Sequence, residues 1–231
     1  SGGSNGIGFA IPADLVAAFV AQARAGSDTF ERPWAGINGQ PVDVDMAGPL
    51  GLDRPGGIIV SGLHPVSPFL AAGLDVGDVI VAVDGQSVNT PAEMIYRMSV
   101  AGSGHTVDVT RLRDGQEETW PVALIVAPDT PPRAQVALAD ETLLPGLTLA
   151  RVNPAVISEM NLPLDTTGVA VIDAGRFGPR VGFQAGDIIL NINGVEISHP
   201  DEVATLFGGQ VRQVEVLVRR GVRRISLRFR V

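Results

Sequence analysis

GDVIVAVDGQSVNTPAEMIYRM, from Gly77 to Met98, returns later in the chain as GDIILNINGVEISHPDEVATLF, from Gly186 to Phe207. The two copies align without a gap, and apolar residues of one copy match apolar residues of the other. An internal repeat constrains the architecture of the whole chain. This repeat recurs at a spacing far too long for a stacked solenoid unit. Each copy therefore predicts a separate small domain.

The first half of each copy predicts a strand, a tight turn and a second strand. Val79 to Val83 is an uninterrupted apolar run, which is typical of a strand buried on both faces. Asp84-Gly85 follows it, and Asn193-Gly194 stands at the same place in the second copy. These pairs are the residues that a two-residue hairpin turn favours, because both of its central positions have positive φ.

The second half of each copy predicts a helix. Thr90-Pro91-Ala92-Glu93 has the form of a capping box, so we expect the helix to begin at Pro91. In the second copy Pro200 and Glu202 keep this register, although His199 is a poorer cap than Thr. The apolar residues of the first helix form two adjoining stripes, so the helix can face a core and a groove at once. One stripe is Met94, Met98 and Ala101, and the other is Pro91, Ile95 and Met98.

Length and composition limit the class of protein. The 231 residues, 45% hydrophobic and 18% charged, suffice for two domains of about 100 residues each. No run approaches the roughly 18 apolar residues of a membrane span, and we see no signal-peptide pattern at the start. The absence of Cys excludes disulfides, Cys-ligated zinc and thiol catalysis. A chain beginning SGGSNG is expected to be a fragment of a longer protein.

The charge pattern predicts no nucleic-acid, metal or cofactor site. The net charge is -8, and every basic residue is Arg. The basic end, Arg224 to Val231, alternates polar and apolar residues, as in a half-buried strand with a solvated face, and it lacks the interleaved aromatics of nucleic-acid binders. Asp43 and Asp45 lack the further oxygen ligands of a calcium loop. A phosphate-binding loop would need a Lys that this chain does not have.

The segments around the repeat complete two matching units. Ahead of them we expect a strand at Ile7 to Ile11 and an amphipathic helix at Pro12 to Ala25, closed by Gly26. The Pro-rich stretch Ala127 to Arg133 is predicted to be an extended linker between the units. The other predicted elements are short helices at Val44 to Leu50 and Ala155 to Asn161, and closing strands at Val107 to Leu112, Thr119 to Ile125, Gln213 to Val218 and Arg224 to Val231.

The order of these elements resembles that of PDZ domains, in the variant found in HtrA/Deg serine proteases of the bacterial envelope. The resemblance rests on the glycine loop, the short helix ending in Ala72-Gly73-Leu74, the Gly77-Asp78 strand start, the Asp-Gly turn and the helix that follows. Ser1 to Pro12 is similar to the last strand of the family's trypsin-like domain. The implied fold is α+β, mainly β, with two PDZ-like domains, each a small partly open antiparallel β-barrel with two helices.

The resemblance also implies a division of the chain. Residues 1–30 would be the end of a protease domain with a linker helix, and residues 31–126 the first PDZ-like domain. Residues 127–139 would be a Pro-rich linker, and residues 140–231 the second PDZ-like domain.

In PDZ domains a partner's C-terminal peptide adds as a strand beside the strand after the glycine loop, and backbone N–H groups of that loop hold its carboxylate. Carried over by position, the carboxylate loop is Ala35, Gly36 and Ile37. The groove side of the helix is Pro91, Ile95 and Met98. Arg32 would supply a positive charge near the carboxylate. The alternative is that Ile37, Ile95 and Met98 are simply core residues.

The second unit is expected to bind such peptides more weakly. Pro145 stands where the first unit has Ala35, and proline has no N–H to offer a carboxylate. The corresponding site residues are Gly146, Leu147, Ala204 and Phe207.

The resemblance implies a regulatory region without catalytic residues. Ser1-Gly2-Gly3 looks like the surroundings of a trypsin-like nucleophile, but in the family that nucleophile lies well upstream of the matching strand. His64, His105 and His199 have no triad context. The expected function is to capture apolar C-termini of unfolded or envelope proteins for a protease domain of the same parent chain, in the periplasm or cell envelope. One alternative is a stand-alone PDZ scaffold that joins two partners. Another is that the chain is itself an enzyme, and the missing triad argues against this.

Overall fold

The computed structural model describes residues 11–26, 29–209 and 213–230, which belong to two compact units that meet in sequence between Ala127 and Pro128. The elements of the first unit are α1 (Ala13–Arg24), β1 (Ile37–Pro41), α2 (Val44–Ala47), β2 (Ile58–Leu63), α3 (Pro68–Ala71), β3 (Val79–Val83), β4 (Gln86–Ser87), α4 (Pro91–Ala101), β5 (Thr106–Arg113) and β6 (Gln116–Ala123). Those of the second are β7 (Val136–Ala137), β8 (Thr148–Arg151), α5 (Pro154–Met160), β9 (Val169–Asp173), α6 (Gly178–Val181), β10 (Ile188–Ile192), β11 (Val195–Glu196), α7 (Pro200–Gly208), β12 (Gln213–Arg220) and β13 (Arg223–Arg230).

Each unit is one open antiparallel sheet with helices beside it. The sheet order is β1-β2-β3-β5-β6 in the first unit and β7-β8-β9-β10-β12-β13 in the second, with β4 on β3 and β11 on β10. The elements β1 to β6 thus recur as β8 to β13, whereas α1 and β7 have no counterpart. The predicted mainly β class with two similar domains is confirmed. Both sheets are open and do not close into barrels. In the first unit, Trp34 and Ile125 form an isolated antiparallel bridge outside the named strands.

The repeat folds as predicted. Its apolar runs form β3 and β10, which lie inside the sheets. At the hairpin turns φ is +48° at Asp84 and +69° at Gly85, and +51° at Asn193 and +86° at Gly194. Each unit also has two helices shorter than the repeat helix, α2 and α3 in the first unit and α5 and α6 in the second.

The helix caps differ from the prediction in detail. At α4, Thr90 Oγ1 accepts from the N–H of Glu93 at 3.2 Å, but the Glu93 carboxylate accepts from the N–H of Asn89 and not from that of Thr90. At α7 the reciprocal box does close, because His199 accepts through Nδ1 while Glu202 accepts from the His199 N–H at 3.0 Å. His199, expected to be the poorer cap, accepts from the N–H of Asp201 at 3.3 Å, slightly longer than the Thr90 bond.

The N-terminal predictions are tested only in part. The strand expected at 7–11 and Ser1 fall outside the described residues, apart from Ile11. The helix expected at 12–25 is confirmed as α1, and Gly26 follows it with φ of +93°. Helix α1 packs against α4 within the first unit. None of the helices in the described part of the chain is both long and apolar enough to cross a bilayer.

The stretch predicted to be a linker, residues 127–139, binds to the second unit from Pro128 onward. The carbonyl of Pro128 accepts from the N–H of Ala155 at 3.1 Å, and Asn153 Nδ2 donates to the carbonyl of Pro131 at 2.7 Å. Prolines donate no backbone hydrogen bond but keep their carbonyls, and here those carbonyls bind the start of α5. From Pro128 onward, the stretch that joins the two predicted domains is therefore held against the second unit.

The Asp of each Gly-Asp pair is buried in an ion pair. The Asp78 carboxylate accepts from Arg111 at 2.9 Å and from Arg113 at 2.8 Å, which ties the start of β3 to the end of β5. Burial raises the pKa of Asp78, but the hydrogen bonds from Arg113 and Arg111 outweigh it and hold that pKa below its ordinary value. Among the described residues, Asp187 in the second unit has one arginine partner, Arg220, at 2.6 Å.

Candidate functional site

The glycine loop of the first unit is built on Trp34. Trp34 is 7% exposed, and its backbone N–H donates to the Ile125 carbonyl at 2.7 Å. Gly36 lies against the indole with φ of +61°, and a Cβ there would be 2.7 Å from the Trp34 ring. Only glycine fits without a shift, because the conformation is left-handed and the space is filled.

Two hydrogen bonds fix the carbonyl groups of this loop. Ser67 Oγ donates to the carbonyl of Ala35 at 2.7 Å and accepts from the first turn of α3, so one hydroxyl joins the helix to the loop. The N–H of His64 donates to the carbonyl of Gly36 at 2.8 Å. The loop carbonyls therefore point into the unit.

The N–H groups of the same loop are differently placed. Among the residues that the structure describes, none accepts a hydrogen bond from the N–H of Ala35 or Gly36. Ile37 faces Leu63 in the ladder, next to the single hydrogen bond from the N–H of His64 to the carbonyl of Gly36. Bonded and non-bonded pairs alternate in antiparallel ladders, so the N–H of Ile37 points to the outer edge of β1. Consecutive backbone donors of this kind can hold an anion.

The strand after the loop has one open edge. β1 ends the order of the first sheet, so among the described residues no strand pairs with its outer side. Helix α4 lies alongside β1, as a helix flanking a groove would. An extended peptide placed there could pair with the outer backbone groups of β1 and touch α4 with alternate side chains.

The predicted groove residues occupy unequal positions. Ile95 on α4 is 42% exposed, whereas Met98 is fully buried in the core of the first unit, and Ile37 is half-buried against that core. The reading of Met98 as a core residue therefore fits its burial better than a place on the groove wall. Pro91 is partly exposed at the start of α4, and Arg32 is exposed ahead of the loop.

The corresponding positions of the second unit are more covered. Leu147 and Phe207 are buried in the second core, with Ala204 packed against it. The N–H of Gly146 donates to the carbonyl of Leu138 at 2.9 Å, and the N–H of Leu147 donates to Leu144 at 3.2 Å. The loop donors that are open in the first unit are thus engaged in the second.

Two supporting residues of the first loop were missed by the sequence reasoning. Ser67 caps α3 and holds Ala35, and Ser before Pro68 is a recognisable helix start that could have indicated it. His64 packs edge-on against Trp34, with ring centroids 5.4 Å apart, and burial lowers the pKa of its imidazole. No local signal indicates this contact.

Other residues considered from the sequence have structural places. His199 caps α7, and His105 is exposed at the start of β5. Asp43 is the cap of α2, where its side chain accepts from the N–H groups of Asp45 and Met46. Within the described ranges, no three His, Asp or Glu side chains cluster as a metal site would require.

Family models agree with this architecture. A PDZ domain model matches residues 36–124, and a second PDZ domain model matches residues 168–220. Both units are therefore PDZ domains, and the chain belongs to the PDZ-domain family.

The particular relatives are DegP-like proteases. The chain is 32% identical over 210 residues to a "Probable periplasmic serine endoprotease DegP-like" of Halomonas elongata, covering 90% of this chain and 44% of the relative. It is 32% identical over 206 residues to the protein of the same name in Marinomonas sp., covering 89% and 43%. The chain is thus homologous to the PDZ region of DegP-like serine endoproteases, and it spans less than half of their length.

A solved structure described as "HtrA-type protease AlgW with tripeptide" is 30% identical to this chain. The match covers 55% of this chain and 42% of that one, with a TM-score of 0.44.

Proposed function

We propose that the first unit binds C-terminal peptides of partner proteins by adding them as a strand to β1. The proposal rests on one observation: the open edge of β1 lies next to a loop whose carbonyl groups are hydrogen-bonded within the unit. A peptide whose carboxylate reaches the N–H groups of Ala35, Gly36 and Ile37 must run antiparallel to β1, because that loop precedes the strand. Its backbone would then pair with the outer edge of β1.

Side chains around the loop would select apolar C-termini. Ile95 is exposed on α4, and Pro91 is partly exposed one turn earlier. Met98 lies in the core behind them and would support Ile95 without contacting the peptide. Arg32 would add a positive charge beyond the loop.

Amidation of a bound peptide should weaken its affinity for the first unit by roughly 10- to 100-fold. The amide lacks the charge of the carboxylate, and a hydrogen bond to a charged group is worth about 1.5–3 kcal/mol. Titration of the whole chain with matched free-acid and amidated peptides, followed at the backbone resonances of Ala35 to Ile37, measures the difference. Equal affinities would show that the carboxylate is not recognised.

The relatives support a wider proposal, that this chain is the regulatory PDZ region of an envelope serine endopeptidase. Such a region would capture apolar C-termini of unfolded or envelope proteins in the periplasm and couple them to a protease domain of the parent chain. Residues 1–30 would then be the end of that protease domain with a linker helix. The PDZ domains would span 31–126 and 140–231, with residues 127–139 joining them.

The chain itself is proposed to have no proteolytic activity. A trypsin-like enzyme needs a serine, a histidine base and an orienting acid in one site. We expect casein incubated with the purified chain to stay intact by mass spectrometry. Cleavage that a serine-directed inhibitor abolishes would contradict the proposal.

A further inference from the structure

The second unit contains a strand that the first unit lacks, and it lies where a peptide would bind. β7 pairs with the outer edge of β8, with Val136 opposite Leu149 and Ala137 opposite Thr148. β8 is the counterpart of β1, whose outer edge ends the first sheet. β7 also runs antiparallel to β8, which is the direction required of a peptide whose carboxylate sits in the loop before the strand.

The end of this segment lies at the glycine loop. Leu138 donates its N–H to the carbonyl of Leu147 at 2.9 Å, and its own carbonyl accepts from the N–H of Gly146 at 2.9 Å. A C-terminal residue bound to such a loop would place a carboxylate oxygen where the Leu138 carbonyl lies. Because the chain continues past Leu138, a peptide carbonyl takes the place of the carboxylate.

The side chains of the segment alternate as those of a bound peptide would. Leu138 is 4% exposed and belongs to the second core together with Phe207, while Val136 is partly buried against the same core. Ala137 between them is exposed. Two apolar side chains thus enter the unit on one face, next to Ala204 of α7, which also packs against this core.

Polar contacts hold the segment ahead of β7 on the same unit. Arg133 makes two hydrogen bonds to the Glu159 carboxylate on α5, at 2.7 and 2.8 Å, and a third to Asp129 at 3.0 Å. The carbonyl of Arg133 accepts from the N–H of Arg151, the last residue of β8, at 2.6 Å. The segment is therefore bound along the whole of β8.

From these contacts we infer that residues 133–138, Arg-Ala-Gln-Val-Ala-Leu, are an internal ligand that closes the peptide groove of the second unit. Only when this segment leaves can the groove accept an external C-terminal peptide. Such a peptide would have Leu as its last residue and Val two residues before it. The inference rests on the proposed function, because it treats the groove between β8 and α7 as a peptide site.

Attachment to the same chain makes the internal ligand a strong competitor. A tethered ligand acts at an effective concentration of about millimolar. An external peptide of micromolar affinity would lose roughly 10- to 1,000-fold in apparent affinity, because only the vacated groove binds it. Pro145→Ala alone should therefore not raise the peptide affinity of the second unit, since the neighbouring Gly146 N–H stays bound to Leu138.

The test uses the whole chain and the peptide Arg-Ala-Gln-Val-Ala-Leu with a free carboxylate. In the double variant Val136→Asp/Leu138→Asp, carboxylates replace the two inserted apolar side chains and the segment should leave. Binding is followed by NMR at the amides of each unit separately. We expect the wild-type second unit to show no saturable shift, and the double variant to bind at Gly146 and Leu147 at least about tenfold more tightly.

A second pair of variants leaves the inserted side chains intact. Arg133→Ala removes the bonds to Glu159, and Arg228→Ala removes another arginine bond to a glutamate, Glu215, on the same unit. We expect the second unit of Arg133→Ala to bind the peptide about fivefold more tightly than that of Arg228→Ala. This factor corresponds to the loss of one exposed ion pair that holds the internal segment. This comparison decides the question if the double variant does not fold.

The outcomes separate the inference from the proposed function. Equal binding by the second units of the wild type and the folded double variant overturns the inference, and so does equal binding by Arg133→Ala and Arg228→Ala. If the displaced second unit binds and the first unit does not, the inference holds and the proposed role of the first unit fails.

Discussion

Replacement of Asp78 by alanine should destabilise the first unit by about 3–5 kcal/mol, the range for breaking one side of a buried ion pair. The Asp78 side chain is 1% exposed, and that of its partner Arg111 is 6% exposed. Without the carboxylate, the Arg111 charge stays buried and loses the buried one of its two counterions, and Arg113 loses the same partner. Glu118 on β6 still bonds Arg111, at 2.8 Å, but it is half exposed and offsets little.

Tryptophan fluorescence in a denaturant titration measures this effect selectively. Trp34 and Trp120 are the two tryptophans of the chain, and both lie in the first unit. Asp187→Ala is the matched control, because it removes the equivalent carboxylate of the second unit and should leave the tryptophan transition unchanged. An Asp78→Ala loss below about 1 kcal/mol would contradict the account, since solvated ion pairs contribute that little.

The same carboxylate gives a pH dependence of defined sign. The pKa of Asp78 in the folded unit lies below its ordinary value, so the unfolded chain binds more protons between the two values. Its contribution to stability is therefore complete above about pH 5 and is lost as the pH falls through the folded pKa. The stability difference between wild type and Asp78→Ala should narrow below about pH 4. A difference that widens on acidification would contradict this.

Substitution of Gly36 by alanine should cost the first unit about 2–5 kcal/mol and weaken its peptide binding at least tenfold. The left-handed conformation at φ of +61° costs an alanine roughly 1–2 kcal/mol, and the overlap of its Cβ with Trp34 adds about 1–3. The loop then has to move off the indole, which displaces the N–H groups proposed to hold the carboxylate. Fluorescence-detected unfolding and peptide titration measure the two effects.

Gly146→Ala is the matched control for this substitution. Gly146 has φ of +77°, but a Cβ there would meet nothing within 4 Å. Only the left-handed conformation is penalised, so we expect about 1–2 kcal/mol, confined to the second unit. Equal costs at the two glycines would show that Trp34 does not constrain the first loop.

The candidate site could be predicted from the sequence only in part. The position of the loop was accessible, because a glycine at the start of a matched unit indicates a left-handed turn. The role of Met98 was not, since an apolar stripe at helical spacing does not say which neighbour covers it. The contacts of Ser67 and His64 with the loop join residues about thirty positions apart, and pairing of that kind depends on strand register.

The sequence by itself determined the element plan of this protein. Uninterrupted apolar runs, Asp-Gly and Asn-Gly turns, and Pro at the helix starts act over a few residues, so both copies of the plan could be identified and their order was confirmed. The arginines that pair with the Asp of each Gly-Asp pair could not be predicted from the sequence. Arg111 and Arg113 reach Asp78 only once β5 lies beside β3.

Only the tertiary structure decided which strand edge stays open. β1 and β8 follow similar glycine loops, yet within the described part of the chain β1 ends its sheet and β8 is covered by β7. β7 is two residues long, and a strand that short carries no periodicity that distinguishes it from a linker. Its place is determined by the N–H of Gly146, by the core that receives Leu138 and by Glu159, which meet the segment only after the second unit has folded.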